Sequence, residues 1–125
     1  MLKQQSGFTL IELIMVIVVL AALAVTAIPA YIDLEDEATI GAMDGIGGSL
    51  ASGTAINFAA CAAGSPGCLA LANCTDTPTT LVGGALPAGY NITALALTAG
   101  TGSVTVCTLN SVAPVLATTF SAITP

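Results

Sequence analysis

The sequence predicts an α+β protein in which one long N-terminal helix packs its second half on a small antiparallel β-sheet, with disulfide bonds as covalent staples. Three observations support this prediction: an uncharged apolar run, a helical period that continues to about residue 60, and short alternating segments between glycine-rich turns near the C-terminus. The helix is expected over about residues 8–60. A chain of 125 residues allows one domain with one appended element.

The apolar run extends from Leu13 to Ile32 and contains no charge. Twenty residues in a helix span about 30 Å, which is enough to cross the hydrocarbon core of a membrane. Lys3 precedes the run, which predicts a cytoplasmic N-terminus. A secretory signal peptide is the alternative, with a small-residue cleavage site near Ala22. Glu12 at the entrance of the run is unfavourable for such a peptide.

The composition excludes several functions. The chain is 55% hydrophobic and 6% charged, has no His, and Lys3 is its one basic side chain. Nucleic-acid binding requires a cluster of Lys and Arg, so no nucleic-acid partner is predicted. Acid–base catalysis and anion stabilisation mostly use the side chains that are missing here. We therefore predict no enzymatic activity, no catalytic residue, no cofactor and no metal.

Near the end of the apolar run, the helix contains a proline, and acidic residues follow it. Pro29 removes one backbone hydrogen bond and is expected to kink or loosen the helix. Asp33, Asp36 and Glu37 share one helix face. Their spacing fits no calcium loop, so a solvated acidic band is the favoured interpretation.

The last third of the chain predicts a β-sheet. Residues 90–98 and 103–109 are expected to form strands joined by a turn at 99–102, which indicates a hairpin. A short strand at 81–82 and an edge strand at 115–119 are expected to join them. In the second strand, one face is predicted to carry Val104 and Val106, and the other Thr105, Cys107 and Leu109.

Four cysteines supply the predicted staples. An even number in a small chain with a membrane-targeting start indicates an oxidising compartment. A zinc site fits less well, because the chain has no His and no C-x-x-C spacing. Four cysteines allow three pairings. We predict Cys61–Cys68, which closes a tight loop at the helix end, and Cys74–Cys107, which ties the following loop to a strand.

The stretch SGFTLIE at residues 6–12 resembles the processing site of type IV pilins and of the related type II secretion pseudopilins. The resemblance extends through the apolar helix to Pro29 and Tyr31 and covers about the first 35 residues. It implies the type IV pilin fold and a prepilin peptidase that cuts between Gly7 and Phe8 and then N-methylates Phe8. The implied segments are a leader peptide (1–7), a membrane and filament-core helix (8–32), and a half-helix with a globular sheet domain (33–125).

The resemblance also implies a role for Glu12. A lone carboxylate or a lone amine among packed apolar helices is costly. In the assembled filament, Glu12 of one subunit would pair with the Phe8 amine of its neighbour. A subunit that enters at the wrong height would leave both charges unpaired.

The implied function is that of a structural subunit, a type IVa major pilin. Residues 48–60, 73–76 and 86–90 are also similar to the mannose-sensitive haemagglutinin branch. Identical subunits would form a helical filament with the help of inner-membrane assembly machinery, for adhesion and motility. The subunit would first lie in the inner membrane, with its C-terminal domain in the periplasm, and then in an extracellular filament.

Two alternatives remain open at this point. Major type II secretion pseudopilins tend to have a charged, calcium-binding C-terminal loop in place of disulfides. The four cysteines, and Asp76 as the only late carboxylate, count against that assignment. A membrane-anchored periplasmic binding module that never polymerises would not need Glu12.

Overall fold

The computed structural model describes residues 7–125, except for the side chains of Ile32 and Asp33. Residues 1–6, which belong to the predicted leader peptide and include Lys3, lie outside this part of the chain. The described elements are a long helix, a 3₁₀ helix and three strands: α1 (Leu10–Ala62), η1 (Cys74–Thr80), β1 (Tyr90–Ile92), β2 (Val104–Ser111) and β3 (Ala117–Ile123). The strands form one antiparallel sheet in the order β1-β2-β3. These elements confirm the predicted α+β class and the long N-terminal helix.

The chain divides into two compact units. One ends at Glu35 and the other begins at Asp36. The described residues of the first unit contain the apolar start of α1, with its large aliphatic side chains exposed. The second unit contains the rest of α1, η1, the sheet and the protein's core. The functional division into segments 1–7, 8–32 and 33–125 stays a prediction.

The C-terminal end of α1 is fixed by local chemistry. Gly64 has φ +68°, which a residue without a side chain adopts at little cost. The Ser65 N–H donates to the Ala60 carbonyl at 2.9 Å, and the Gly64 N–H donates to the Cys61 carbonyl at 3.0 Å. This pair of bonds is the Schellman arrangement that ends many helices. The helix therefore stops where its last carbonyls find partners.

The core of the second unit lies between α1 and the inner face of the sheet. Its largest fully buried aliphatic side chains are Met43 and Leu50 of α1 and Leu109 of β2. Phe120 of β3 packs close to α1, since a Cβ added at Gly47 would lie 3.4 Å from the Phe120 Cβ. A small residue at this position thus allows the helix to approach the sheet closely.

Polar side chains of α1 also attach the helix to its neighbours. The Ile123 N–H of β3 donates to the Thr54 hydroxyl at 3.3 Å, and the Thr118 hydroxyl donates to Asp44 at the same distance. Asn57 forms two bonds of 2.8 Å with the Leu69 backbone, one as donor and one as acceptor. The buried amide of Asn57 thus satisfies both of its polar ends.

The sheet confirms the predicted antiparallel pairing but corrects the strand limits. The predicted strand at residues 90–98 ends at Ile92 as β1, although Thr93 still bonds to Thr108. Beyond it, the chain turns to another partner: Ala96 forms a bridge with Asn73. The predicted strand at residues 81–82 is wrong, because this segment closes η1 and leads into a glycine turn.

The third strand is longer and later than predicted. It was expected at residues 115–119 and is observed at 117–123, because its register follows β2 one residue at a time from Asn110 back to Val104. The predicted faces of β2 are confirmed. Val104 and Val106 are exposed, whereas Cys107 and Leu109 are buried.

Both predicted disulfide bonds are present. Cys61 is joined to Cys68 over a separation of 7 residues, and Cys74 to Cys107 over 33 residues. The first bond closes the loop after α1, and Cys68 is exposed. The second links the start of η1 to β2 with both residues fully buried. The two bonds therefore stabilise different parts of the second unit.

Candidate functional site

The candidate site is the start of α1, where Thr9 and Glu12 bond to each other. The Thr9 backbone N–H and the Thr9 hydroxyl both donate to Oε2 of Glu12 at 2.9 Å. In return, the Glu12 N–H donates to the Thr9 hydroxyl at 3.3 Å. This is a capping box, in which the residue before the helix and the third helical residue satisfy each other's free N–H groups. It explains why α1 begins at Leu10.

The predicted cleavage position lies just before this cap. Gly7, Phe8 and Thr9 precede α1 and belong to no regular secondary structure. Phe8 is 92% exposed, and nothing lies within 4 Å of a Cβ added at Gly7. The peptide bond between Gly7 and Phe8 is therefore accessible. Cleavage and N-methylation at this bond stay predictions.

The helix that follows exposes apolar side chains around its whole circumference. From Leu10 to Ile28, every large aliphatic residue is at least 46% exposed. Within the described residues, α1 is the one helix long and apolar enough to cross a membrane. A helix that is apolar on all sides needs a membrane or other protein around it. Glu12 is the single carboxylate in this stretch.

Pro29 lies inside α1, and the helix continues on both sides of it. Proline has no N–H, so the helical hydrogen bond to the Val25 carbonyl is missing. The predicted kink or loosening at this position stays a prediction. The acidic band that follows is described only in part, because the Asp33 side chain lies outside the described residues. No group of three His, Cys, Asp or Glu residues placed to hold a metal occurs in the part of the chain that the structure describes.

The comparisons with known proteins identify this segment. Residues 2–28 match the family model of the prokaryotic N-terminal methylation motif. This match indicates a type IV pilin-like prepilin. No significant match to the chain came from the curated proteins or from the solved structures.

The motif supports a role as a type IV pilin or pseudopilin-like subunit, and it belongs to structural rather than catalytic proteins. It implies processing by a peptidase and handling by membrane assembly machinery. The apolar start of α1 agrees with membrane anchoring. The mannose-sensitive haemagglutinin branch stays a prediction, because the matched motif does not determine the subfamily.

The structure places Gly7, Phe8 and Glu12 together at the N-terminal end of α1, while the four cysteines lie in the second unit. Sequence analysis assigned Glu12 to pairing between subunits and missed its bond to Thr9. The signal was present as T-x-x-E directly before an apolar run. The role of Asn57 was also missed, because its partner Leu69 is distant in sequence.

Proposed function

We propose that the chain is the structural subunit of a type IV pilus and polymerises through its N-terminal helix into an extracellular filament. The observation that carries this proposal is one carboxylate, Glu12, in a helix that is otherwise apolar and exposed from Leu10 to Ile28. A charge at the start of an apolar helix is costly and usually marks a function, and the Thr9 cap requires only an acceptor oxygen rather than a charge.

In this proposal, prepilin peptidase removes residues 1–7, and the new N-methylated amine at Phe8 becomes the only side-chain or terminal cation of the mature chain. The reason is that Lys3 leaves with the leader and no other Lys, Arg or His is present. Any ion pair in a filament of identical subunits must then use this amine. A buried carboxylate in the filament core requires such a partner.

The geometry at Glu12 supports that pairing. Its Oε2 accepts both bonds from Thr9, and the structure records no partner for Oε1 among the described residues. A carboxylate has about four acceptor positions on its two oxygens. Glu12 can therefore keep its own helix capped and accept the Phe8 amine of a neighbouring subunit at the same time.

The second unit supports a role in contact with surfaces. After Asp44, the only charged side chain is Asp76. Its carboxylate is occupied by the backbone N–H groups of Ala72 and Asn73, at 2.9 and 2.8 Å. A filament covered by such units has few charged groups to desolvate on contact with a neutral surface and no cations to attract DNA. These features favour adhesion and surface motility over DNA binding.

The test is intact-mass spectrometry of sheared surface filaments from a piliated host that expresses the full chain. We expect a subunit that starts at N-methylated Phe8 and lacks two hydrogens for each disulfide bond. Chain that stays in the membrane fraction, in a host whose own filaments form normally, would contradict the pilus assignment. Restored secretion of folded proteins in a strain without its major pseudopilin would favour the pseudopilin instead.

A further inference from the structure

Two loops meet at one end of the sheet in the second unit. The start of β1, the end of β2 and the start of β3 all lie at this end, because both strand pairs are antiparallel. The loop that leads into β1 and the turn from β2 to β3 therefore lie side by side. The Val112 N–H donates to the Gly89 carbonyl at 2.9 Å, so the two loops are in direct contact.

The same end of the sheet lies where α1 enters the second unit. The Thr118 hydroxyl near the start of β3 donates to Asp44, whereas the Ile123 N–H at the end of β3 donates to Thr54. The helix and the strand therefore run in the same direction. The turn before β3 lies on the N-terminal side of Asp44 along α1. Pro87 of the other loop lines a cavity of about 490 Å³ with this part of the helix.

The exposed side chains of the two loops are apolar. Val115 is 87% exposed and Val112 is 59% exposed. Leu86 and Leu116, one in each loop, pack against the core and hold the loops in place. We call the exposed surface between them the loop platform, and its residues are Pro87, Ala88, Val112, Ala113 and Val115.

The platform differs from an ordinary loop surface. Turns are usually built from glycine and polar residues, and the turn at the opposite end of the sheet, residues 99–102, has the sequence AGTG. No charged residue follows Asp76 in the chain, so the platform has no charge of its own. An exposed aliphatic side chain gains free energy when it leaves water. The platform therefore favours a partner with an apolar, uncharged surface.

The length of the chain before the second unit indicates which partner this is. The apolar run ends at Ile32 and the second unit begins at Asp36, so only residues 33–35 lie between them. When the apolar run crosses a bilayer, a connection of three residues keeps the second unit at the membrane surface. A short tether of this kind gives a high effective concentration of the surface around the platform.

We propose that the loop platform contacts the lipid surface of the membrane in which the subunit is anchored before assembly. Val112 and Val115 enter the boundary between headgroups and acyl chains, where interfacial protein segments bury their apolar side. The contact fixes the orientation of the second unit on the membrane. This inference goes beyond the proposed function, since it concerns the anchored subunit and does not require a filament.

Charge identifies the kind of lipid. At the end where α1 enters the second unit, the helix carries Asp36, Glu37 and Asp44, and no cation follows Lys3 in the chain. An anionic lipid surface repels these carboxylates within a Debye length of about 8 Å at physiological ionic strength. A surface of zwitterionic headgroups has no net charge and allows the apolar contact. The platform therefore fits zwitterionic phospholipid.

The first test uses tryptophan fluorescence. The chain has no Trp, so a single introduced Trp reports on its own surroundings. Val115→Trp is compared with Thr119→Trp, which lies at an exposed position on the outer face of β3. The full chain is reconstituted in phosphatidylcholine vesicles with and without bromine on the acyl chains. We expect emission at shorter wavelength and quenching by the brominated lipid for Val115→Trp only. Equal quenching of the two variants, or none, would overturn the proposal.

The second test examines the native side chains, because Trp itself favours membrane interfaces. Ala88→Trp serves as the reporter in the platform and is combined with Val115→Asp or, as the matched control, with Thr119→Asp. The charge should abolish quenching by the brominated lipid in the first double variant and leave it unchanged in the second. Equal quenching in both would contradict the proposal. A lower thermal midpoint for the Val115→Asp variant alone would also count against it, since the loss would then come from unfolding.

A second copy of the chain is the competing occupant of the platform. If the emission of Val115→Trp shifted only when the amount of protein per vesicle was raised, the platform would bind another subunit and the lipid proposal would be wrong. The pilus function is tested separately by the sheared filaments. A chain that forms no filaments can still show the lipid contact, and a chain that forms filaments can lack it.

Discussion

Thr9 and Glu12 cap the first turn of α1 through three reciprocal hydrogen bonds, two to Oε2 of Glu12 and one to the Thr9 hydroxyl. Glu12 thus has a local role in its own chain, in addition to the proposed pairing with the Phe8 amine of a neighbour. The two roles depend on different properties of the side chain. The cap requires an acceptor oxygen, whereas the pair requires a negative charge.

Two substitutions separate these roles. Glu12→Gln keeps an acceptor that can serve in a capping box but removes the charge, so we expect filaments to be absent or strongly reduced. Thr9→Ala keeps the charge and removes the cap, at a cost of about 0.5–2 kcal/mol, so filaments should still form. The measurement is the yield of sheared filaments relative to processed subunit in the membrane. If the filament yield fell for Thr9→Ala but not for Glu12→Gln, the role of Glu12 would be helix capping alone.

The two disulfide bonds should differ in accessibility. Cys68 is exposed, whereas Cys74 and Cys107 are both 0% exposed. A mild reductant applied to the folded chain should therefore reduce Cys61–Cys68 first. Mass spectrometry after labelling with a thiol-specific reagent should then detect chains with two labels before chains with four. Two labels on Cys74 and Cys107, or four labels at once in the folded chain, would be inconsistent with this burial.

Removal of each bond should also cost a different amount of stability. In the chain-entropy view, replacement of Cys74 and Cys107 by serine lowers the free energy of unfolding by about 4 kcal/mol, and replacement of Cys61 and Cys68 lowers it by about 2 kcal/mol. The difference arises because the loop closed by Cys74–Cys107 is longer. Chemical denaturation of the full-length variants in detergent measures the difference. Equal losses would show that contacts in the folded state, rather than loop length, dominate.

Gly53 and Gly48 should respond in opposite ways to alanine. A Cβ at Gly53 would meet the Thr80 hydroxyl and would lie 3.1 Å from the Thr80 Cβ. That hydroxyl donates to the Thr77 carbonyl at 2.8 Å, so its displacement breaks a bond. We expect Gly53→Ala to destabilise the second unit by about 1–3 kcal/mol. Gly48→Ala is the matched control in open space and should stabilise it by about 0.5–1 kcal/mol.

Trypsin offers a simple test of processing. The enzyme cuts after Lys and Arg, and the only such residue is Lys3. Even when unfolded, a subunit that begins at Phe8 should keep its full mass after trypsin treatment, while the unprocessed precursor loses residues 1–3. Chymotrypsin, which cuts at aromatic residues, is the control for unfolding. A loss of mass from the filament subunit would place the cleavage site before Lys3.

The sequence predicted the long helix well because its signals are local. The apolar run and Pro29 are each recognised from neighbouring residues, and α1 ends within two residues of the expected position. The pairing of Cys61 with Cys68 was also predictable, since a loop of this length closes at a helix end. The capping box at Thr9 was equally local, but the charge of Glu12 suggested only an intermolecular role.

The sheet was harder to predict because partner choice depends on distant residues. Residues 93–98 alternate as a strand does, yet only Thr93 and Thr98 at the two ends bond to β2, and the residues between them approach the segment before η1. There the Cys74 N–H donates to the Leu95 carbonyl and the Leu97 N–H donates to the Ala72 carbonyl. Burial of Leu97 in the core satisfies the alternating pattern without a long strand.

The Cys74–Cys107 bond also limits how far a pulled subunit can lengthen. If a filament held at a surface carries load from the sheet to the helix, a subunit that partly unfolds under this load lengthens the filament. The two cysteines are separated by 33 positions in the sequence, which would otherwise add about 110 Å of contour at roughly 3.4 Å each. With the bond intact, that length stays locked inside the loop. A filament of such subunits would then behave as a short, stiff tether whose reach under tension is set by its covalent cross-links.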